Sequence, residues 1–202
     1  MQQSNLPTIG TFIEAAGGFF GGIVRVHDVL HAVIWAPKAQ GETKLPWHTD
    51  DETEIAGANS FFDSVANTVA MAEAGSPLAL WAQGLEINGH CDWAIPARDV
   101  LELGYRHLKP TAQEHFGYRS GDNPSSVPAG YPYTSDASVQ QTSVTVFQAG
   151  GPEAFDDTWH WSSTQYSALN AWFQSFRYGS QGNSRKSCEG RARAVRLIQL
   201  TD

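Results

Sequence analysis

The chain has 202 residues, 41% of them hydrophobic and 17% charged, a balance that supports a buried core and excludes disordered and coiled-coil classes. No apolar run approaches the ~18 residues of a membrane span, so no membrane insertion is expected. The net charge of −8 argues against a nucleic-acid partner, yet residues 158–202 carry 6 basic and 2 acidic side chains against 7 and 19 in 1–157. This basic end is either a contact surface or the electrostatic partner of the acidic remainder.

In chain order, Gly17 to Val26 and Val29 to Trp35 are rich in aromatic and β-branched residues and predict a β-hairpin turning at His27-Asp28. Ala39 to Ala58, with the acidic run Asp50-Asp51-Glu52-Thr53-Glu54, reads as a solvated loop. Asn59-Ser60 offers a cap for a helix through Phe61, Phe62, Val65, Val69, Ala70 and Ala72, ended by Gly75-Ser76-Pro77. Leu78, Leu80, Trp81, Leu85 and Ile87 predict a second short helix closed by Asn88-Gly89. Pro96 opens a third through Val100, Leu101, Leu103 and Leu108, stopping before Pro110.

Thr111 to Phe155 is a long irregular stretch punctuated by Pro124, Pro128, Pro132 and Pro152. Its Phe116, Tyr118, Tyr131, Tyr133, Val144, Val146 and Phe147 give it apolar area to pack down. Trp159 to Trp161, Ala171 to Tyr178 and Ala192 to Leu200 then read as three strands separated by polar turns. The expected class is α+β: an N-terminal β-hairpin and acidic loop (1–56) packed on a main domain (57–202) with central helices, long irregular loops and C-terminal antiparallel strands.

Cys91 and Cys188 are too few for a disulfide scaffold and are not spaced as a zinc site. Two buried thiols and one bridge between distant segments both fit. The N-terminus lacks the basic stretch and apolar core of a signal peptide, which points to synthesis in the cytoplasm.

His27-Asp28-Val29-Leu30-His31 has the i, i+4 histidine spacing of a metalloprotease helix, but at a hairpin tip the two imidazoles do not converge on a metal. His48 with Asp50, Asp51, Glu52 and Glu54, and separately Asp122-Asn123-Pro124, supply hard oxygen donors without the Gly-punctuated spacing of a calcium loop. No nucleophile elbow, phosphate loop or dinucleotide fingerprint occurs. The expectation is a non-enzyme with no catalytic residue, no metal site and no cofactor.

Alternation along Ala171 to Tyr178 puts Trp172, Gln174 and Phe176 on a core face and Phe173, Ser175 and Arg177 on the other. With Tyr178 and the polar turn 179–190, the second set forms a surface of aromatic, Arg, Ser and Asn chemistry suited to recognition. An ordinary polar hairpin is the alternative.

Three pieces, Trp161-Ser162-Ser163-Thr164, the Ala171-Trp172-x-Gln174-x-Phe176 strand and Arg191-x-Arg193-Ala194-Val195-Arg196, resemble the end of the C-type-lectin-like domain found in phage tail proteins and in the variable proteins of diversity-generating retroelements. Asp92-Trp93-Ala94-Ile95-Pro96-Ala97 resembles the same family's Asp-Trp-Arg-Leu-Pro-Thr segment, so the likeness covers residues 57–200. It implies a C-type-lectin-like fold whose final strands bind other molecules.

Carried over by position, Leu169, Asn170, Phe173, Ser175, Arg177, Tyr178, Ser180, Asn183, Ser184 and Ser187 would be the outward-facing ligand-binding residues. Cys188 falls in the same stretch, which speaks against a bridge to Cys91. The implied partner is a host-cell surface protein or glycan, with other tail subunits and a homo-oligomer, a trimer, as further partners, and the implied location is the virion. The Glu-Pro-Asn and Trp-Asn-Asp signatures of calcium-dependent sugar binding are missing. A structural tail subunit using the same face for assembly is the alternative role. An enzyme on the related formylglycine-generating fold would need a reactive thiol pair, which the isolated Cys91 and Cys188 do not offer.

Overall fold

The computed structural model describes residues 1–50, 52–115, 123–130 and 139–201. Asp51, Phe116, Tyr118, Asp122, Tyr131, Pro132 and Tyr133, singled out above, lie outside the described residues. The architecture is mixed α+β.

A short β1 (Phe12–Ile13) precedes the predicted hairpin, β2 (Gly18–Val26) and β3 (Val29–Trp35). His27 and Asp28 at its tip have φ of 46° and 65°, the left-handed pair that matches the right-handed twist of the flanking strands. One turn of helix, α1 (Lys38–Gly41), leads into β4 (Glu42–Pro46). Then come α2 (Ser64–Glu73), α3 (Pro77–Gln83), α4 (Arg98–Leu108) and the two-residue β5 (Ser126–Val127). The chain finishes with β6 (Trp159–Gln165), β7 (Asn170–Ser175), β8 (Gln181–Arg185), β9 (Glu189–Arg193) and β10 (Val195–Gln199).

Two sheets result, one in the order β1-β2-β3-β10 with β5 also on β2, the other β4-β9-β6-β7-β8. Their strands pair antiparallel except for β6 with β9. The last strand lies on the first hairpin, from Val195 opposite Trp35 to Gln199 opposite His31, and β4 pairs with β9. Residues before 57 therefore contribute strands to both sheets. The predicted final strand Ala192 to Leu200 is in fact two, since the chain passes from one sheet to the other at Ala194. The polar stretch 179–190, expected to be a turn, holds edge strand β8. Its Gln-Gly-Asn-Ser-Arg composition has no apolar alternation but suits an edge that must not recruit another strand.

The helices correct two expectations. α2 is capped by Asp63, whose Oδ1 accepts from Ala66 N at 2.9 Å, rather than by Asn59-Ser60. Ser60 instead accepts from Asp63 N at 2.9 Å. The expected buried face is only partly so: Phe62, Ala70 and Ala72 pack against the cores, but Phe61, Val65 and Val69 are exposed, while Ser64, Asn67, Thr68 and Met71 are buried. The reason is the extended segment around Pro96, whose backbone donors need acceptors. Thr68 Oγ1 accepts from Ile95 N at 2.9 Å and Ser64 Oγ from Ala97 N at 2.8 Å. Asn88-Gly89 does not close a helix. With φ of 51° and 75° it makes the tight turn of the Ile87–His90 bridge, and α3 has already ended at Gln83.

One core fills the space between the first sheet and α4, centred on Trp35, Tyr105, Phe147, Phe155 and Phe176. α4 approaches closely because residue 104 is glycine: a Cβ there would stand 2.3 Å from Trp35 Cζ2. A second core, with Trp47, Met71, Leu78, Trp161 and Ala192, lies between the second sheet and α2 and α3.

Three of the six basic side chains in the C-terminal end are partners of the acidic remainder. Arg191 reaches Asp156 at 2.6 Å and Glu42 at 3.1 Å, the fully buried Arg193 pairs with Glu153, and Arg196 holds both oxygens of Asp92 at 2.5 and 3.0 Å. Cys91 and Cys188 are free and exposed, so neither the buried-thiol expectation nor the bridge holds. Among the described residues no helix is long and apolar enough to cross a membrane.

Candidate functional site

β7 lies between β6 and the edge strand β8, and its register with β8 sorts the side chains. Asn170, Trp172 and Gln174 stand opposite Arg185, Asn183 and Gln181 on one face, and Ala171 and Phe173 stand opposite Ser184 and Gly182 on the other. Trp172, expected in the core, is half-buried on the first face. Its ring meets Tyr166 edge-on at 4.9 Å and Phe61 at 6.4 Å. Tyr166 is 52% and Phe61 42% exposed. Behind this ridge the guanidinium of Arg98, at the start of α4, sits 4.4 Å from the Trp172 ring centre and 4.5 Å from that of Phe61. Its Nε donates to Gln181 Oε1 at 3.0 Å.

Alternation misassigned Trp172 because both faces of this sheet are partly covered. The fully buried Ala171 and the half-buried Phe173 pack towards the second core, with the Phe173 ring 5.3 Å from Trp159. β8 can lie over that ring only because residue 182 is glycine, whose Cβ would stand 2.8 Å from Phe173 Cζ.

Five of the ten residues named from the sequence come together on this second face. Phe173, Ser175, Arg177, Tyr178 and Ser180 border a concavity of about 300 Å³ shared with Asp157 and Trp159. Arg177 is exposed, with its Cζ 4.9 Å from the Tyr178 ring centre and its Nε 4.0 Å from Asp157 Oδ2. Ser175 is buried, and its hydroxyl accepts from Tyr178 N at 3.2 Å, so it shapes the turn instead of facing outward. Leu169 is exposed in the β6–β7 loop. Asn170 and Asn183 lie on the Trp172 face, bonded to each other at 2.9 Å. Ser184 is half-buried on β8 and Ser187 is exposed in the turn before β9. The ten positions thus divide between two faces of the sheet and the connections on either side of β7 and β8.

Sequence reasoning missed Tyr166, Phe61 and Arg98, which complete the ridge. Phe61 was assigned to a buried helix face and Arg98 was given no role. Beyond Phe61 opens a larger cleft of about 810 Å³, between the hairpin tip and the approach to α2, bordered by Arg25, His27, Asp28, Asn59 and Phe62.

The histidine and acid motifs serve the fold. His27 Nε2 lies 3.0 Å from Asp63 Oδ2 and His31 Nδ1 lies 3.1 Å from Val29 O, so the pair do not share a centre. His48 Nε2 reaches Ala74 O at 2.8 Å. The acidic loop is organised by a buried lysine: Lys186 Nζ donates to Thr53 O at 2.9 Å and Gln165 Oε1 at 2.6 Å, 5.0 Å from the Trp47 ring centre. Asp50 accepts from Glu52 N and the Thr53 hydroxyl, and these bonds hold its carboxyl below the ordinary range. Among the described residues no three His, Cys, Asp or Glu side chains are grouped as a metal site would need.

No protein-family model matches this chain, and no curated protein matches it.

Proposed function

We propose that this protein is a non-enzymatic recognition protein, a phage or prophage tail adhesin or a retroelement-diversified variable protein with a C-type-lectin-like fold, that binds a host-surface protein or glycan through the face built around β7. The observation that carries this reading is the aromatic ridge of Tyr166, Trp172 and Phe61. Three adjoining large rings, two of them (Trp172 and Phe61) against the Arg98 guanidinium and two (Tyr166 and Phe61) more than 40% exposed, have the composition of a binding hot spot. The Arg177–Tyr178 pair on the opposite face adds a second patch of the same chemistry.

A structural tail subunit is the second reading. Val65, Val69 and Leu80 on α2 and α3 are exposed and give an apolar surface of the kind used in assembly.

The test is adsorption of virions, or of the purified protein, to host cells. Tyr166→Ala, at an exposed ring, and the double variant Tyr166→Ala/Trp172→Ala are compared with wild type after thermal denaturation has shown them folded. Truncated aromatic anchors commonly cost about 2 kcal/mol or more, about thirtyfold in affinity, so adsorption falls by that order. Wild-type adsorption by both variants rejects the reading, and failed virion assembly by folded variants favours the structural one.

A further inference from the structure

We propose that the solvent face of α2 and α3 takes a second copy of this chain, with the two α2 helices antiparallel across a two-fold axis. This goes beyond the recognition reading and does not use the face around β7. Val65, Val69 and Leu80 are 46%, 42% and 52% exposed, and Ala66 and Gln83 are exposed on the same helices. A groove of about 370 Å³ runs beside the two valines, shared with Trp93, Ala94 and Leu197.

Charge selects the occupant. The chain carries 21 acidic and 13 basic side chains, so two copies repel where their charged surfaces meet. From Ser64 to Gly84 the single charged side chain is Glu73, and on this neutral ground like-charged molecules can approach closely. Asp92, which also borders the groove, has both oxygens held by Arg196 at 2.5 and 3.0 Å.

Glu73 sets the orientation. It is exposed at the carboxyl end of α2, where the partial negative charge of the helix disfavours a carboxylate, and the last turn holds no basic residue. The first turn holds no acidic residue, and the Asp63 cap before it is engaged by Ala66 N at 2.9 Å and His27 at 3.0 Å. An antiparallel copy corrects both ends: each Glu73 comes to the amino end of the other helix, where a carboxylate is favoured. A parallel pair would bring the two Glu73 side chains together. In a two-fold contact residue i meets j and j meets i, so an axis at the level of Asn67 sets Val65 of one copy against Val69 of the other. The two Glu73 positions then lie about 18 Å apart along the helices, at 1.5 Å per residue. Helices of about 15 and 10 Å offer less than the ~1,200 Å² of a standard interface, which makes this a micromolar dimer.

The experiment is sedimentation velocity of the whole protein from about 1 to about 300 µM, a range that brackets such a Kd. A monomer–dimer equilibrium is expected. Val69→Glu, at an exposed position and shown folded by its thermal melt, should weaken it at least about tenfold. Glu73→Gln, which removes the charge that sets the orientation, should weaken it by a smaller factor. Register is read by oxidation: Val65→Cys and Val69→Cys, each with Cys91→Ser and Cys188→Ser, should form a disulfide between copies faster when mixed than either does alone. Monomer over the whole range, a trimeric mass, a dimer indifferent to Val69→Glu, or cross-linking without preference for the mixed pair overturns the proposal.

Discussion

The guanidinium of Arg98 lies 4.4 Å from the centre of the Trp172 ring, tying the first residue of α4 to the middle of β7. Arg98 is 6% exposed and also faces Phe61 and bonds Gln181. A planar delocalised cation can stack on two rings while its edge makes hydrogen bonds, whereas a lysine ammonium is a compact, strongly hydrated point charge. Arg98→Lys should therefore lower stability by about 1–2 kcal/mol with the charge retained. Urea denaturation measures it, and an unchanged midpoint would show that the stack carries no energy.

Phe173 and Arg177 were expected to share an outward face, and their environments separate them. Phe173→Ala should cost about 2 kcal/mol, less than the ~3–5 kcal/mol of a fully buried phenylalanine because the ring is only half-buried. Arg177→Ala, at an exposed position, should stay within about 0.5 kcal/mol of wild type. Thermal melts of the two variants give the comparison, and equal losses would contradict the packing of Phe173 on Trp159.

Lys186 holds the acidic loop from beneath. Lys186→Met leaves the Thr53 carbonyl without this donor and Gln165 Oε1 with one bond fewer, and should cost about 2–3 kcal/mol. Because an ammonium group already serves those oxygens, a chelator should leave the melting temperature of the wild-type protein unchanged. A loss of about 2 kcal/mol or more on adding EDTA would instead reveal a bound cation.

His160 is fully buried between Phe155 and Phe176, with ring centres 5.5 and 4.8 Å away. Burial pushes its pKa from 6.5 down to about 3, against the opposing pull of Asp156. The folded protein therefore keeps a neutral imidazole where the unfolded chain takes up a proton. Stability is undiminished by this group above pH 6.5 and falls by up to about 1.4 kcal/mol per unit as pH drops from 6.5 towards 3. His160→Phe should flatten that slope in denaturation titrations between pH 6.5 and 4, and an unaltered slope would mean the ring is protonated in the fold.

What the sequence disclosed follows from which signals are local. The His27-Asp28 hairpin and the α4 helix were legible because β-branched runs, a two-residue turn and apolar residues at helical spacing act over a few residues, although Pro96, expected to open α4, lies in the extended segment before it. The inner face of α2 was not. Hydropathy sends Val65 and Val69 inward, but the decisive demand comes from the backbone donors of Ile95 and Ala97, whose closeness to α2 no periodicity reports. Trp172 failed for a related reason, since alternation distinguishes core from surface only when one side of a sheet faces water. Within the candidate site, Arg177 and Tyr178 were foreseen, whereas the ridge needed Phe61 and Arg98 from distant stretches of chain.

The pairing of β10 with β3 bears on how the molecule comes into being. The hairpin of β2 and β3 is built from local contacts, but its outer edge is unsatisfied until β10 pairs with it. Closing a loop of that length delays the contacts that repay it. An emerging chain therefore carries the strand containing Ala32, Val33 and Ile34 unpaired along that edge until β10 has been made, the period in which a chaperone or a neighbouring nascent chain competes with β10 for it.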